Sequence, residues 1–431
     1  MNPCREPVIL IAVYSGLPRM RAPPGGTCIQ MELKQLKQQL AGLVVFRPLL
    51  QLAPMQAFRR MLEAAGAGDA DAYVEQAACF AEQLFAATDC WTDWLLDAML
   101  ETENLCVRRG AGSGVLEDCC ARELALLQQA GQLTQQQLSA AAAQRCGVPA
   151  ETFAFLPAWT VRPLDFAGQY RQRLAEAGRK GYGMFARHHV FTVENGALCP
   201  VKYPDPQRLA QLPGYEPERE KILANTKALL AGMPAANVLL YGDAGTGKSS
   251  TVKAIANEYA PEGLRLVEVK KNQLYQIPEL MDSLAHNPLK FILFIDDLSF
   301  TANDDNFAAL KAILEGSVGG RAQNVAVYAT SNRRHLIKET LSDRSGDDIH
   351  EADTRQELMS LSARFGLTVT FQRPEKQRFA AIVLELARQY GVQLSADQLV
   401  VKAEAFAIRA GGRSPRVAKQ FVELYRSGVP V

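Results

Sequence analysis

"NVLLYGDAGTGKSSTVKAIANEY" (237–259) is a short apolar run, a glycine-rich turn and an amphipathic stretch in immediate succession. The run "NVLLY" reads as a buried strand, and "KSSTVKAIANEY" reads as a helix with Val252, Ile255 and Tyr259 on one face. Between them lies G-x-x-x-x-G-K-S, with Gly242, Gly247, Lys248 and Ser249. Strand, glycine loop and helix in that order form a cradle for phosphate. Glycines let successive backbone N–H groups turn toward phosphate oxygens, and the helix N-terminus adds its positive dipole. The spacing assigns phosphate or cofactor contact to Gly242, Asp243, Ala244, Gly245, Thr246, Gly247, Lys248, Ser249 and Ser250. In such loops the lysine reaches the β- and γ-phosphates and the Ser hydroxyl ligates Mg²⁺.

A second stretch fits the first. "FILFIDDLSF" (291–300) is five apolar residues running into two aspartates, a buried strand ending in carboxylates. Downstream of a phosphate loop, that is where the Mg²⁺ partner belongs. Asp296 is assigned to the metal, acting through water. Asp297 is assigned to polarising an attacking water, its plainer reading being a cap for the following helix. Further on, "VAVYAT" (325–330) is another strand, with Asn332 just beyond its end, and "SLSARFGL" (360–367) places Arg364 ahead of "TVTF". An amide at a strand end can bond the γ-phosphate or the water. An arginine can stabilise charge on the transferring phosphoryl. "GGRSPRVAKQF" (411–421) opens a helix with Ser414 as N-cap and Pro415 as first residue, leaving Arg413 just outside and Arg416 in the first turn. Either arginine can fold over phosphates.

The rest of the chain frames this half. At 431 residues it is long enough for two or three domains, with 48% hydrophobic and 22% charged residues. A net charge of +1 gives no whole-chain argument for nucleic acid or an acidic membrane surface. Nine cysteines fall between Cys4 and Cys199 without a C-x-x-C pair, so zinc is not expected, and reduced thiols in a cytoplasmic protein are. The apolar run "PVILIAV" (7–13) is too short to span a bilayer and lacks a cleavage pattern, so neither a membrane segment nor a signal peptide is expected. Residues 1–30 are expected to be a disordered tail. Residues 31–180 show helical spacing throughout, as in "DAYVEQAACFAEQLFAA", and read as an all-helical domain without polar chemistry. A connector hairpin around Asn195-Gly196 occupies 181–205, with a His188-His189 doublet read as a surface or core pair. From 206 to 371 short apolar runs alternate with helices, the pattern of a parallel α/β sheet, and 372–431 is a helical lid.

Phosphate loop, acid pair, polar strand end, arginine before a strand and arginine in a helical lid, in that order, resemble the AAA+ ATPases over about 206–431. Within that group, "YGDAGTGKSS", "FILFIDDLSF", "YATSNRRHLI" and "SLSARFGL" look like an uncharacterised bacterial AAA+ family of unknown function. The resemblance implies an α/β core with a parallel sheet, a C-terminal three-helix lid and a separate all-α N-terminal domain. It implies a Walker A at Gly242–Ser249, a Walker B at Asp296-Asp297, a sensor 1 at Asn332, an arginine finger at Arg364 and a sensor 2 at Arg416 or Arg413. Leu212, Gly214 and Tyr215 fall where such proteins cover adenine. The implied activity is hydrolysis of Mg-ATP in a homo-oligomer that remodels a protein or nucleic-acid partner, and the short side chain of Asp297 makes that hydrolysis slow.

Two departures stand out. AAA+ enzymes usually carry Asp-Glu at Walker B, whereas the look-alike family shares the Asp-Asp seen here. That family's arginine stretch usually reads S-L-S-D-R-F, and this chain has Ala363 in place of the acid, which bears on how Arg364 is oriented. Asp297 is one methylene shorter than glutamate, so a slow nucleotide-gated loading switch is the alternative reading. A P-loop kinase is weaker, for want of an acceptor pocket. Tyr275 in "KKNQLYQIPEL" (270–280) lacks the glycine of a threading loop.

Overall fold

The computed structural model describes residues 33–109, 114–298, 310–311, 313–314, 322–332 and 364–430. Residues 1–30 and Ala363, which bear on the expectations above, lie outside the described residues. The chain divides into two compact units, one of Met1–Ala177 with Gly181–Arg187, the other of Gly178–Lys180 with His188–Val431. Among the described residues no helix is long and apolar enough to cross a membrane.

The first unit is helical. It comprises α1 (Leu33–Ala41), α2 (Ala53–Ala67), α3 (Ala70–Phe85), α4 (Trp91–Glu101), α5 (Leu105–Arg109), α6 (Gly114–Gly131), α7 (Gln135–Cys146) and α8 (Phe166–Ala175), with shorter helical turns between and after them. Local chemistry marks the boundaries. Asp69 caps α3 by accepting from Ala72 N, Thr134 and Gln137 form a capping box on α7, and Gly147 closes α7 in the left-handed region. The core is aromatic: Trp91 packs on Phe58 and Phe80, and Trp159 on Phe80, at centroid distances of 4.8–5.0 Å. One buried carboxylate holds a turn together. Glu123 on α6 accepts from the backbone N–H groups of Val44, Val45 and Phe46 at 2.7, 3.2 and 3.0 Å. Val45 and Phe46 are fully buried, so their N–H groups have little water to turn to if the carboxylate is lost.

The second unit is built on a sheet of seven strands among the described residues: β1 (Val190–Glu194), β2 (Ala197–Pro200), β3 (Val238–Gly242), β4 (Leu264–Glu268), β5 (Lys290–Ile295), β6 (Val325–Ser331) and β7 (Leu367–Phe371). Their order is β2-β1-β4-β5-β6-β3-β7. Every neighbouring pair is parallel except the β1–β2 hairpin. The apolar runs have no alternation because both faces of the central strands are covered. All seven residues of β6 are buried, and so are five of six in β5. The hairpin read as a connector does form, with Asn195 and Gly196 at positive φ, but β1 also pairs in parallel with β4 and extends the sheet. Its burial on Val190, Phe191 and Val193 explains why that strand is held there. Around the sheet lie α9 (Glu216–Leu230), α10 (Lys248–Tyr259) and α11 (Ile277–Leu284). The chain ends in the three helices of the lid, α12 (Lys376–Tyr390), α13 (Ala396–Arg409) and α14 (Pro415–Arg426). A mostly parallel sheet with crossover helices and three C-terminal helices is the α/β core and helical lid expected from the sequence.

The order has one consequence for chemistry. β6 lies between β3, which carries the glycine loop, and β5, which carries the acids. The carboxyl ends of these three strands share one edge, at the crevice where strand order reverses and where ligands of open α/β sheets bind.

The first unit offers a clean stability test, because all three tryptophans, Trp91, Trp94 and Trp159, belong to it. Glu123→Ala is expected to lower its stability by roughly 2–4 kcal/mol, read as a fall in the urea midpoint of tryptophan fluorescence. Glu123→Gln, which keeps a carbonyl acceptor, is expected to lose less.

Candidate functional site

At the carboxyl edge of β3 the backbone turns sharply. Gly242 has φ +138°, and a Cβ there would sit 2.1 Å from the carbonyl oxygen of Phe371, so β3 and β7 approach as closely as they do only because this residue has no side chain. Asp243 follows, its N–H donating to Phe371 O at 3.1 Å and its Oδ2 accepting from Arg373 N at 2.9 Å. Gly247, with φ +91°, is the N-cap of α10. Lys248 then turns back under the loop, its Nζ donating to Gly242 O (2.8 Å), Asp243 O (2.7 Å) and Asn332 Oδ1 (3.0 Å). Burial pushes this lysine down to about 8. Asp243, Asp297 and Asp296 oppose that fall, and the Arg416 charge adds to it.

The acids at the end of β5 are tied to β6. Asp296 Oδ1 accepts from Ser249 Oγ at 2.6 Å and from Thr330 Oγ1 at 2.5 Å. Asp297 adopts φ +51°, a left-handed backbone that aspartate tolerates, and its N–H donates to Thr330 Oγ1 at 2.9 Å. Asn332 Nδ2 donates to Asp297 Oδ1 at 2.7 Å. Asn332 therefore bridges cation and carboxylate, oxygen toward Lys248 and nitrogen toward Asp297. Those two partners leave only one orientation for its amide.

These groups line a cavity of about 530 Å³ with Ala244 to Ser250. Its remaining wall comes from Gln207, Gln211, Leu212, Pro213, Tyr215 and Arg219 on one side and Leu386, Pro415, Arg416 and Lys419 of the lid on the other. Four cations on the lining, Arg219, Lys248, Arg416 and Lys419, face two carboxylates, Asp296 and Asp297. That balance, with the loop amides, suits a polyanion. The Ser249 and Asp296 oxygens converge, and hard oxygens of this kind could hold a cation such as Mg²⁺. Among the described residues no group of three or more His, Cys, Asp or Glu gathers around a metal position.

Several residues singled out from sequence sit elsewhere. Arg413 is not at the cavity: its guanidinium forks onto Glu404 of α13 at 2.9–3.0 Å, which commits it to the lid's own structure. Arg416 lines the cavity, and its N–H donates to Gly245 O at 3.1 Å, seating the start of α14 on the glycine loop. Gly214 lines a neighbouring cavity instead. Its φ is +78°, and a Cβ would meet Ile382 at 2.9 Å, so glycine serves the close approach of α12. Gly242 and Asp243 act through their carbonyls on Lys248 and are not on the cavity wall. Leu212 and Tyr215 do line it. Tyr215 is buried at φ +63°, stacks on Phe371 at 5.3 Å and donates its hydroxyl to Gln372 O at 2.6 Å, and burial pushes that hydroxyl up to about 12.

Arg364 is not on the cavity wall of its own chain. β7 runs parallel to β3, pairing Leu367 with Val238 at the start and Phe371 with Gly242 at the end. Arg364, three residues before β7, is thus at the opposite edge of the sheet from the glycine loop, a strand length of about 17 Å away. Sequence reading missed Thr330, Arg219, Gln207, Gln211 and Lys419. Thr330 is the first of two hydroxyl side chains that close an apolar strand, and Lys419 is one helical turn beyond Arg416. Those were the available signals.

Residues 185–429 match the family described as "Protein of unknown function (DUF815)". Among solved structures the chain is similar to the Thermotoga maritima RuvB Holliday junction branch migration motor, at 20% identity over 52% of this chain and 65% of that one, with a TM-score of 0.36. A further structure of Thermotoga maritima RuvB matches at 19% identity over the same shares, with a TM-score of 0.35. The chain thus spans 65% of the length of those structures. With the family match covering more than half of its length, the chain belongs to the DUF815 family of proteins of unknown function.

Proposed function

We propose that this chain binds Mg-ATP in the cavity at the carboxyl edge of its sheet and hydrolyses it as an oligomer, using the cycle to remodel a macromolecular partner. The observation that carries the reading is the bonded chain Lys248–Asn332–Asp297 beside Ser249–Asp296–Thr330. It gathers on one wall the cation, amide, metal-side acid and water-side acid that phosphoryl transfer to water requires. The loop amides and Lys248 bind the phosphates, and Ser249 and Asp296 hold the metal side. Mg²⁺, when bound there, neutralises charge on the β- and γ-phosphate oxygens. Asp297 orients and polarises the attacking water, with Asn332 fixing its carboxylate. Arg416 and Lys419 close on the phosphates from the lid, and Leu212 and Tyr215 flank the base. Arg364, at the far edge of the sheet, is too distant to serve its own nucleotide and suits the site of a neighbouring copy. The helical unit is the partner-specific module in this reading.

A slow nucleotide-gated switch is the second reading, supported by the short reach of Asp297. Steady-state phosphate release decides between the two. Sustained turnover supports the machine, and ATP binding without measurable turnover supports the switch.

Asp297→Ala and Arg364→Ala are each expected to cut phosphate release by at least about 100-fold while ATP binding is retained. Mixing the two variants is expected to restore part of the activity, because a mixed assembly contains sites with both groups intact. No recovery on mixing would remove the role of Arg364 in trans.

The lowered pKa of Lys248 gives a pH signature. In the free site the ammonium loses its proton as pH rises through about 8. Bound phosphates favour the charged form and raise that value, so binding takes up a proton above it. ATP affinity is therefore expected to fall as pH climbs from 8 to 10, approaching about tenfold per pH unit. Calorimetry in buffers of different ionisation enthalpy reads the proton directly. Lys248→Met is expected to bind weakly and without this step.

A further inference from the structure

The wall of the cavity away from the glycine loop is not a secondary-structure element. It is a strap, residues 205–213, that contributes Gln207, Gln211, Leu212 and Pro213 to the lining. Apart from a short turn at Leu209–Gln211 it has no ladder to hold it in place. One side chain supplies what a ladder would. Asn257, in the C-terminal half of α10, donates from Nδ2 to the carbonyls of Asp205 and Gln207, both at 2.8 Å. Its Oδ1 is 2.8 Å from His189 Nε2. With Nδ2 committed to two carbonyls, Oδ1 must accept, so His189 carries its proton on Nε2. The second histidine of the doublet thus orients the asparagine, and the asparagine pins the strap.

We infer that Asn257, oriented by His189, is a positioning residue for the base end of the nucleotide site. The inference rests on the nucleotide reading above and deepens it. α10 begins at the loop that holds the phosphates, and Asn257 lies on that same helix. A rigid helix thereby fixes the distance between the phosphate cradle and the wall that meets the base. The strap has a second anchor, Gln389 Nε2 of α12 donating to Ala210 O at 3.0 Å, and within it Arg208 N and Gln207 Nε2 both donate to Gln211 Oε1. Arg208 adds longer contacts from the strap to the same helix, its Nη1 donating to Asn257 O at 3.5 Å and lying 3.9 Å from Glu258 Oε2, but the two short bonds to the phosphate helix, one of them at the glutamine that lines the cavity, come from the Asn257 side chain.

The test compares two ligands that differ only at the base end. Inorganic tripolyphosphate needs the cradle, whereas ATP needs the cradle and the strap. Calorimetry on the full chain with Mg²⁺ is expected to show Asn257→Ala weakening ATP binding about tenfold or more while tripolyphosphate binding is unchanged. KM for ATP is expected to rise with kcat unchanged. Asn257→Asp, which keeps the bond from His189 but donates to neither carbonyl, is expected to behave like Asn257→Ala. His189→Ala, which leaves both strap bonds in place, is expected to shift ATP binding in the same direction by less, and it serves if the Asn257 variants do not fold. Equal loss for both ligands would overturn the inference, since the side chain would then support the helix as a whole. Unchanged ATP binding would overturn it as well. A wild-type chain that binds neither ligand would instead overturn the nucleotide reading, and this inference with it.

Discussion

The Lys248 ammonium lies under the glycine loop with three oxygens within 3.0 Å, two of them carbonyls of the turn it closes and the third the Asn332 amide. A buried cation is tolerated only if such acceptors, or a bound anion, take the place of water. Much of the local architecture supplies them. The turn at Gly242 and Asp243 aims two carbonyls inward, which requires the glycine that lets β7 come so close. Asn332 must reach from the end of β6, which requires β6 to lie directly beside β3. The same ammonium is what phosphates would meet, so the interaction that organises the turn is also the one a ligand would compete for.

The lid is bound into this arrangement by backbone as well as by charge. The first turn of α14 donates to Gly245 O, while Ser414 and the Arg416 Cβ crowd the open face of Gly245. A glycine at φ +77° can take that approach where a side chain could not. Displacement of α14 and rearrangement of the glycine loop are therefore one event, since the loop cannot change its peptide orientation and keep this bond.

What was legible in the sequence was what local spacing controls. The glycine loop, the apolar strands and the capped lid helix follow from residues a few positions apart, and the order of these motifs along the chain is what groups Lys248, Ser249, Asp296, Asp297 and Asn332. What was not legible depends on which segments become neighbours. Thr330 gains its role because β6 lies against β5, which brings it to Asp296, 34 residues earlier. Arg413 and Arg416 looked equivalent until Glu404, nine residues upstream of Arg413, claimed one of them. Gly214 looked like part of a base cover, yet its bare Cα answers to Ile382 in the lid. Asn257 looked like any polar residue on a helix, because its partners are carbonyls about fifty residues away with no side-chain signature.

The position of β6 between the two halves of the site carries a further meaning. Thr330 and Asn332 are two residues apart at the end of one strand, so the pleat sends both toward the same side. A slip of one residue in that strand would turn both away together and present their neighbours Ser331 and Ala329 instead. Asp296 would then lose Thr330 and Lys248 would lose Asn332 in a single step, and buried Tyr328 would leave Asn225 and Thr226 with them. What fixes both contacts is the count of residues along the strand. The strand acts as a ruler whose unit is one peptide, and the chemistry at its end is only as well placed as that count.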